Sequence, residues 1–167
     1  MKILETMNEN QVTDEEMASF SRRSSTRAIM LDHNGNVGLL YSQQLNYYTL
    51  PGGGVEIGET GEQSVIRECL EETGYTVEIV ATLGAVLEIR KDVEKISEVL
   101  GYVVQIVGDQ GETQLMPDEI EEGFVVKWIP QSQVKDIFHS EMSRAKPEHQ
   151  QIPKRALVFL NHAFPEV

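Results

Sequence analysis

The chain has 167 residues with 27 acidic and 14 basic side chains, a formal net charge of -13, 40% hydrophobic and 25% charged residues. That composition fits one globular core and disfavours a broad phosphate-binding nucleic-acid surface, which needs Lys and Arg in excess. No apolar run approaches the roughly 20 residues of a membrane span, MKILETMNENQ lacks the apolar core of a signal peptide, and the single Cys69 excludes an internal disulfide, pointing to a reducing, cytoplasmic setting.

In chain order, residues 1–25 read as a polar, loosely organised lead-in, with a short helix at Asp14–Phe20 pinned by Met17 and Phe20. The body begins at residue 26 and continues to 167 as a single domain. TRAIMLD reads as a strand, DHNGN carries the Asn-Gly signal of a tight hairpin, and VGLLYS is the return strand. YYTL is a short strand stopped by Pro51 and three glycines. Helical periodicity then runs from Gly61 to Thr73, with Val65, Ile66, Cys69 and Leu70 as its apolar stripe and Gly74 at the position of a left-handed cap. VEIVATLGAVLEIR is one long strand, or two with a break near Gly84. SEVLGYVVQIVG and GFVVKWIP are further strands, PDEIEE a loop between them, QSQVKDIF a short helix, KPEHQQIP a linker and KRALVFLNHAF a closing helix. Strands outnumber helices, which predicts an α+β domain.

The helix poses a chemical question. Glu68, Glu71 and Glu72 crowd its second half, and the 100° step places them on one face, roughly opposite the apolar stripe. Like charges three or four residues apart repel, and they lie too far from the first turn for the helix dipole to help. A solvated acidic face is the plain explanation. The preceding Pro51-Gly52-Gly53-Gly54, with Glu56 and Glu59 following, suggests another: a hard divalent cation takes oxygen ligands, and Mg²⁺ uses one or two carboxylates, several waters and substrate phosphates. Zinc would call for histidine or thiolate donors instead.

The same stretch resembles the Nudix hydrolase signature: Gly, five residues, Glu, seven residues, then Arg-Glu-apolar-x-Glu-Glu-x-Gly-apolar. Here it reads Gly53, Glu59, Arg67, Glu68, Cys69, Glu71, Glu72, Gly74 and Tyr75. All seven fixed positions match, and chance agreement at a given start is on the order of 10⁻⁸ at ordinary residue frequencies. Cys69 stands where the family has a larger aliphatic residue, and its place on the apolar stripe assigns it to packing. The resemblance implies a three-layer α/β/α sandwich with a mixed curved sheet. It also implies Mg²⁺- or Mn²⁺-dependent cleavage of the diphosphate linkage in a nucleoside diphosphate derivative, a nucleoside triphosphate first among them. A nucleotide-sugar or dinucleotide pyrophosphatase, or a non-catalytic nucleotide-binding sensor, stands as the alternative.

By position, Glu68, Glu71 and Glu72 would bind metal, Gly52 would lend a carbonyl, Glu59 would support the site and Arg67 would orient the carboxylates. The general base would be Glu68, or an acid among Asp118, Glu119, Glu121 and Glu122; Glu122 best matches the family's loop acid and would assist at the metal. Arg27, Tyr48 and Arg90 are the candidates for touching substrate, with Lys127 and Phe124 behind them. The next proline after the motif is Pro117, so the proline that ADP-ribose pyrophosphatases carry shortly after it is missing. The expected partner is a small phosphorylated nucleotide-like molecule, with neither nucleic acid nor membrane, and a homodimer is open.

Overall fold

The computed structural model describes residues 1–8, 11–146 and 149–165. Its strands are β1 (Ile3–Met7), β2 (Ser21–Leu31), β3 (Val37–Ser42), β4 (Tyr47–Thr49), β5 (Thr76–Arg90), β6 (Lys95–Val107) and β7 (Phe124–Ile129). Its helices are α1 (Asp14–Met17), α2 (Gly61–Thr73), α3 (Pro117–Glu122), α4 (Gln131–Arg144) and α5 (Gln151–Ala163). The sheet runs β1-β5-β6-β2-β3-β4, with β7 added against β3. It is mixed: β1 lies parallel to β5 and β2 parallel to β6, while β5 and β6 are antiparallel. Two bulges interrupt the single long strand β5, one between Ile79 and Ala81 and one between Thr82 and Gly84.

Each face of the sheet has its own core. Ala28, Met30, Tyr102 and Val104 close against Val65 and Cys69 of α2. Ile29, Val86 and Val99 close against Val134 and Phe138 of α4 and Phe159 and Leu160 of α5. The alternation of β2 side chains between these two cores follows from the two-residue strand period. This is the three-layer α/β/α arrangement.

The hairpin folds as its residues dictate. Asp32 Oδ1 accepts from the backbone N–H groups of Asn34 and Asn36, both at 2.8 Å, and Gly35 takes the left-handed turn position. Strands β2 and β3 then pair only at Met30–Gly38 and Leu31–Val37. Beyond that point they part, and Pro51–Val55 fills the wedge. Ala28 N–H donates to Pro51 O and Thr26 N–H to Gly53 O, both at 2.8 Å, and Val55 N–H donates to Ser24 O at 3.1 Å. The glycine loop is thus held as a short antiparallel strand on the edge of β2.

Helix α2 begins with a reciprocal Thr60–Gln63 capping box and ends at Gly74 in the left-handed conformation, the first of these contributing on the order of 1 kcal/mol. Its buried face corrects the expected one. Val65 and Cys69 are fully buried, but Ile66 and Leu70 are 38% and 39% exposed, and Glu72 is buried. The helical angle explains this. Glu72 lies about 20° from Val65 and Glu68 about 60°, whereas Leu70 lies about 140° away. Glu68 and Glu72 therefore flank the packed stripe, while Glu71, about 120° from Val65, points further out.

Five other expectations change. The lead-in joins the sheet, because Ile3–Met7 pairs with β5 and β2 starts at Ser21, ahead of Thr26. The helix expected over Asp14–Phe20 ends at Met17. The acidic segment before β7 is a helical turn, with Pro117 as its first residue and Gly123 as its left-handed cap, not a loop. The helix after Pro130 continues to Arg144. Of the expected linker, Pro147 and Glu148 lie outside the described residues, and helix α5 already starts at Gln151.

Candidate active site

Arg67 is the hub of the site. Its Nε donates to Glu59 Oε1 at 2.9 Å, its Nη1 to Glu68 Oε1 and Glu71 Oε2 at 2.9 Å each, and its Nη2 to Glu59 Oε2 and Gly54 O at 3.0 Å. One planar fork therefore ties three carboxylates and the glycine loop together, a geometry that lysine cannot copy. Arg67 holds Glu59 below the usual carboxylate range. Glu68 goes the other way: burial raises its pKa against the opposing pull of Arg67.

Glu72 enters from beneath. Its Oε2 accepts the Gly52 N–H at 2.6 Å, and burial lifts its carboxyl to about 8, opposed by that hydrogen bond and by Arg27. The glycine loop must come this close for the bond to form. Gly53 lies flat against Glu68, where a Cβ would stand 2.4 Å from Oε1. The Gly52 carbonyl accepts from Arg27 Nη1, which also donates to Thr26 O at 2.6 Å. Arg27 Nε is sealed from solvent with no hydrogen-bond partner, and burial, together with the nearby Arg155 guanidinium, lowers the Arg27 pKa to about 10. Arg155 itself is bound to Glu88 at 2.5 Å in a buried pair that joins α5 to β5.

The oxygens of Glu68, Glu71 and Glu72 and the Gly52 carbonyl are hard donors, the type that a hard divalent cation takes. Among the described residues no three acidic, histidine or cysteine side chains converge on one point. Glu68 and Glu71 each turn one oxygen to Arg67, so the second oxygen of each is the one left for a cation. A metal that keeps most of its water needs only one or two of them directly.

The structure brings together Gly52, Gly53, Glu59, Arg67, Glu68, Glu71, Glu72 and Arg27. Glu122 stands at the rim, where its Oε2 accepts the Tyr47 hydroxyl at 3.0 Å, and burial followed by that bond raises the Tyr47 pKa. Glu119, one turn earlier on α3, is the acid of that segment whose charge helps to raise the Glu72 pKa. Tyr48 packs beside Tyr41 with ring centroids 4.7 Å apart. It also lines a cleft of about 600 Å³ with Tyr47, Glu122, Glu141, Arg144 and His149. Arg90 lies away from the site, paired with Asp92 at 2.6 Å after β5. Lys127 is exposed on β7, and Phe124 meets Tyr47 edge-on. Cys69 is fully buried, and burial raises its thiol pKa. Sequence reasoning did not find the burial of Glu72 or the Glu88–Arg155 pair; helical angles alone could have found the first.

A carboxylate helix is fastened here to a glycine loop on the edge of a mixed sheet. A family model, the NUDIX domain, matches residues 21–150, and the chain belongs to that family. It is 38% identical over 56 residues to a Bacillus subtilis protein named "Putative 8-oxo-dGTP diphosphatase", covering 34% of this chain and 38% of that one. It is 40% identical over 60 residues to an ADP-ribose pyrophosphatase of Methanocaldococcus jannaschii, covering 36% and 32%. The chain thus spans well under half the length of either relative. A NUDIX hydrolase structure from Nitrosomonas europaea superposes with a TM-score of 0.60 at 18% identity, over 81% of this chain and 90% of that one, a likeness of fold. Among the described residues no helix is long and apolar enough to cross a membrane.

Proposed function

We propose that the chain is a hydrolase of phosphoric anhydrides, dependent on Mg²⁺ or Mn²⁺. It cleaves the diphosphate linkage of a nucleoside diphosphate derivative, with a nucleoside triphosphate as the favoured substrate. The reading is carried by the arrangement around Arg67, which holds Glu59, Glu68 and Glu71 in one fork beside a glycine loop that Glu72 anchors from below. A bound divalent cation would supply neutralisation of phosphate charge and a lowered pKa for attacking water.

Glu68, Glu71, Glu72 and the Gly52 carbonyl hold the cation, and Arg67 fixes the carboxylates. Glu68 is the general base. Its raised pKa lies closer to neutral pH, where a base is most effective. Glu122 assists from the rim, oriented by Tyr47. Arg27 brings positive charge up to the phosphates from behind the Gly52 carbonyl that it holds, and the Tyr48 cleft takes the nucleoside. Purified chain incubated with Mg²⁺ and a panel of nucleoside triphosphates, nucleotide sugars and dinucleotides should release phosphate or pyrophosphate from at least one class. Binding without release across the panel, in Mg²⁺ and in Mn²⁺, would overturn hydrolysis in favour of a sensor.

A further inference from the structure

The chain has seven arginines, and they divide by environment. Arg67, Arg90, Arg144 and Arg155 each hold a carboxylate. Among the described residues Arg22, Arg23 and Arg27 hold none, although acidic side chains outnumber basic ones 27 to 14. All three are on β2, the strand that carries the glycine loop. Strand alternation puts Arg23, Ser25 and Arg27 on the face turned away from α2.

The loop runs antiparallel along that strand, so each of these arginines has a fixed loop neighbour. Arg27 Nη1 donates to Gly52 O. Ser25 bridges to Gly54. The Arg23 guanidinium lies on Gly54 itself: a Cβ there would stand 2.1 Å from Nη2 and 3.0 Å from Cζ. Gly54 is outside the left-handed region, so its missing side chain serves the seat of Arg23 and not the backbone. Gly54 O in turn accepts from Arg67. The same peptide therefore carries the carboxylate hub on one side and an exposed, unpaired arginine on the other.

Gly52, where Arg27 is held, and Gly54, where Arg23 is seated, are two extended residues apart, about 7 Å, which is further than one P–O–P bridge reaches. We propose that Arg23, seated on Gly54, is a specificity-determining residue that binds a third phosphate. The site then favours substrates with three or more phosphates in a row over diphosphate-linked conjugates. This rests on the hydrolase reading above and names its substrate class.

The test measures Kd with Mg²⁺ present for a non-hydrolysable methylene-bridged nucleoside triphosphate analogue and for the matching diphosphate analogue. Wild type should bind the triphosphate analogue about 10- to 100-fold more tightly, the range of one charge-assisted contact. Arg23→Gln should remove that preference while leaving the diphosphate Kd unchanged. Arg23→Ala should do the same, and Arg22→Gln should change neither. A preference that survives both Arg23→Gln and Arg23→Ala overturns the proposal, as does equal wild-type affinity or no binding of either analogue. Because the readout is binding, failure of the hydrolase reading shows separately, as absent product release from the natural nucleotides.

Discussion

Glu72 Oε2 accepts the Gly52 amide at 2.6 Å, and Glu72 is only 8% exposed. The bond links the far end of α2 to the loop that precedes the helix. Glu72→Gln keeps an acceptor for that amide but removes the charge. Mg²⁺ or Mn²⁺ affinity should fall by about tenfold or more, with a similar loss in Glu71→Gln. Above pH 8, where the buried acid is ionised, the metal-free Glu72→Gln protein should melt at or slightly above the wild-type temperature, because a costly buried charge is gone. Calorimetric titration and thermal melts check both. Unchanged metal affinity in both variants would leave the acids a solvated and structural role.

Metal binding should also release a proton. Burial lifts Glu72 to about 8, while a cation takes the ionised carboxylate. Affinity should rise with pH up to about 8 and then level off. Titrations at neutral pH in buffers of different ionisation enthalpy should give different apparent heats. Without metal the sign reverses: the fold prefers the protonated acid, so stability falls as pH climbs from the ordinary glutamate range towards 8.

Arg67→Lys keeps the charge and loses the fork. Lysine cannot reach Glu59, Glu68, Glu71 and the Gly54 carbonyl together, so the second oxygens of the carboxylates lose their fixed directions. The expected result is a fall in kcat of about 10²-fold, with a smaller change in metal affinity. A wild-type rate would show that Arg67 only decorates the surface.

Glu68→Gln separates base from ligand. Loss of the general base lowers kcat by about 10²–10⁴, and Glu122→Gln should have the smaller effect. Rate and metal affinity measured on the same preparations distinguish the roles, because a ligand alone loses both in step and a ligand that is also the base loses more rate than its affinity loss accounts for. A wild-type rate in Glu68→Gln on a substrate that the native chain cleaves would remove it from the chemistry.

Removing residues 1–20 should leave the rate per folded molecule largely intact and lower stability. Met7 and Val12 are buried in separate clusters, and loss of β1 uncovers the edge of β5, inviting association between sheets. Thermal melting, light scattering and an active-site-normalised rate check this. A folded but inactive deletion would place the segment in the site.

What the sequence discloses is mainly local. Helix α2, its Gly74 cap and the glycine loop are read from neighbours within one or two turns, and the hairpin from Asn34-Gly35. The rest depends on partners far along the chain. ILETM alternates too weakly to declare itself a strand until β5 is beside it. Arg155 gives no sign in its own helix of Glu88, 67 residues earlier. Arg23 looks like loop charge until the glycines are folded against β2. The misjudged face of α2 was a matter of angle: an acid can sit beside a packed stripe when a backbone N–H meets its carboxylate.

The two parallel pairings have a bearing on synthesis. Ile3 must wait for Ala85, and Ser21 for Lys95. On a ribosome the glycine loop and its carboxylate helix emerge well before the strands that scaffold them, since Tyr102 and Val104 supply part of the floor under α2. The nascent chain therefore carries a charged, half-supported helix with an uncovered apolar stripe through the making of β5 and β6. Closure of the sheet is a late, non-local event, and such topologies fold slowly. Substitutions that slow it would lower the yield of folded protein while leaving the finished site intact.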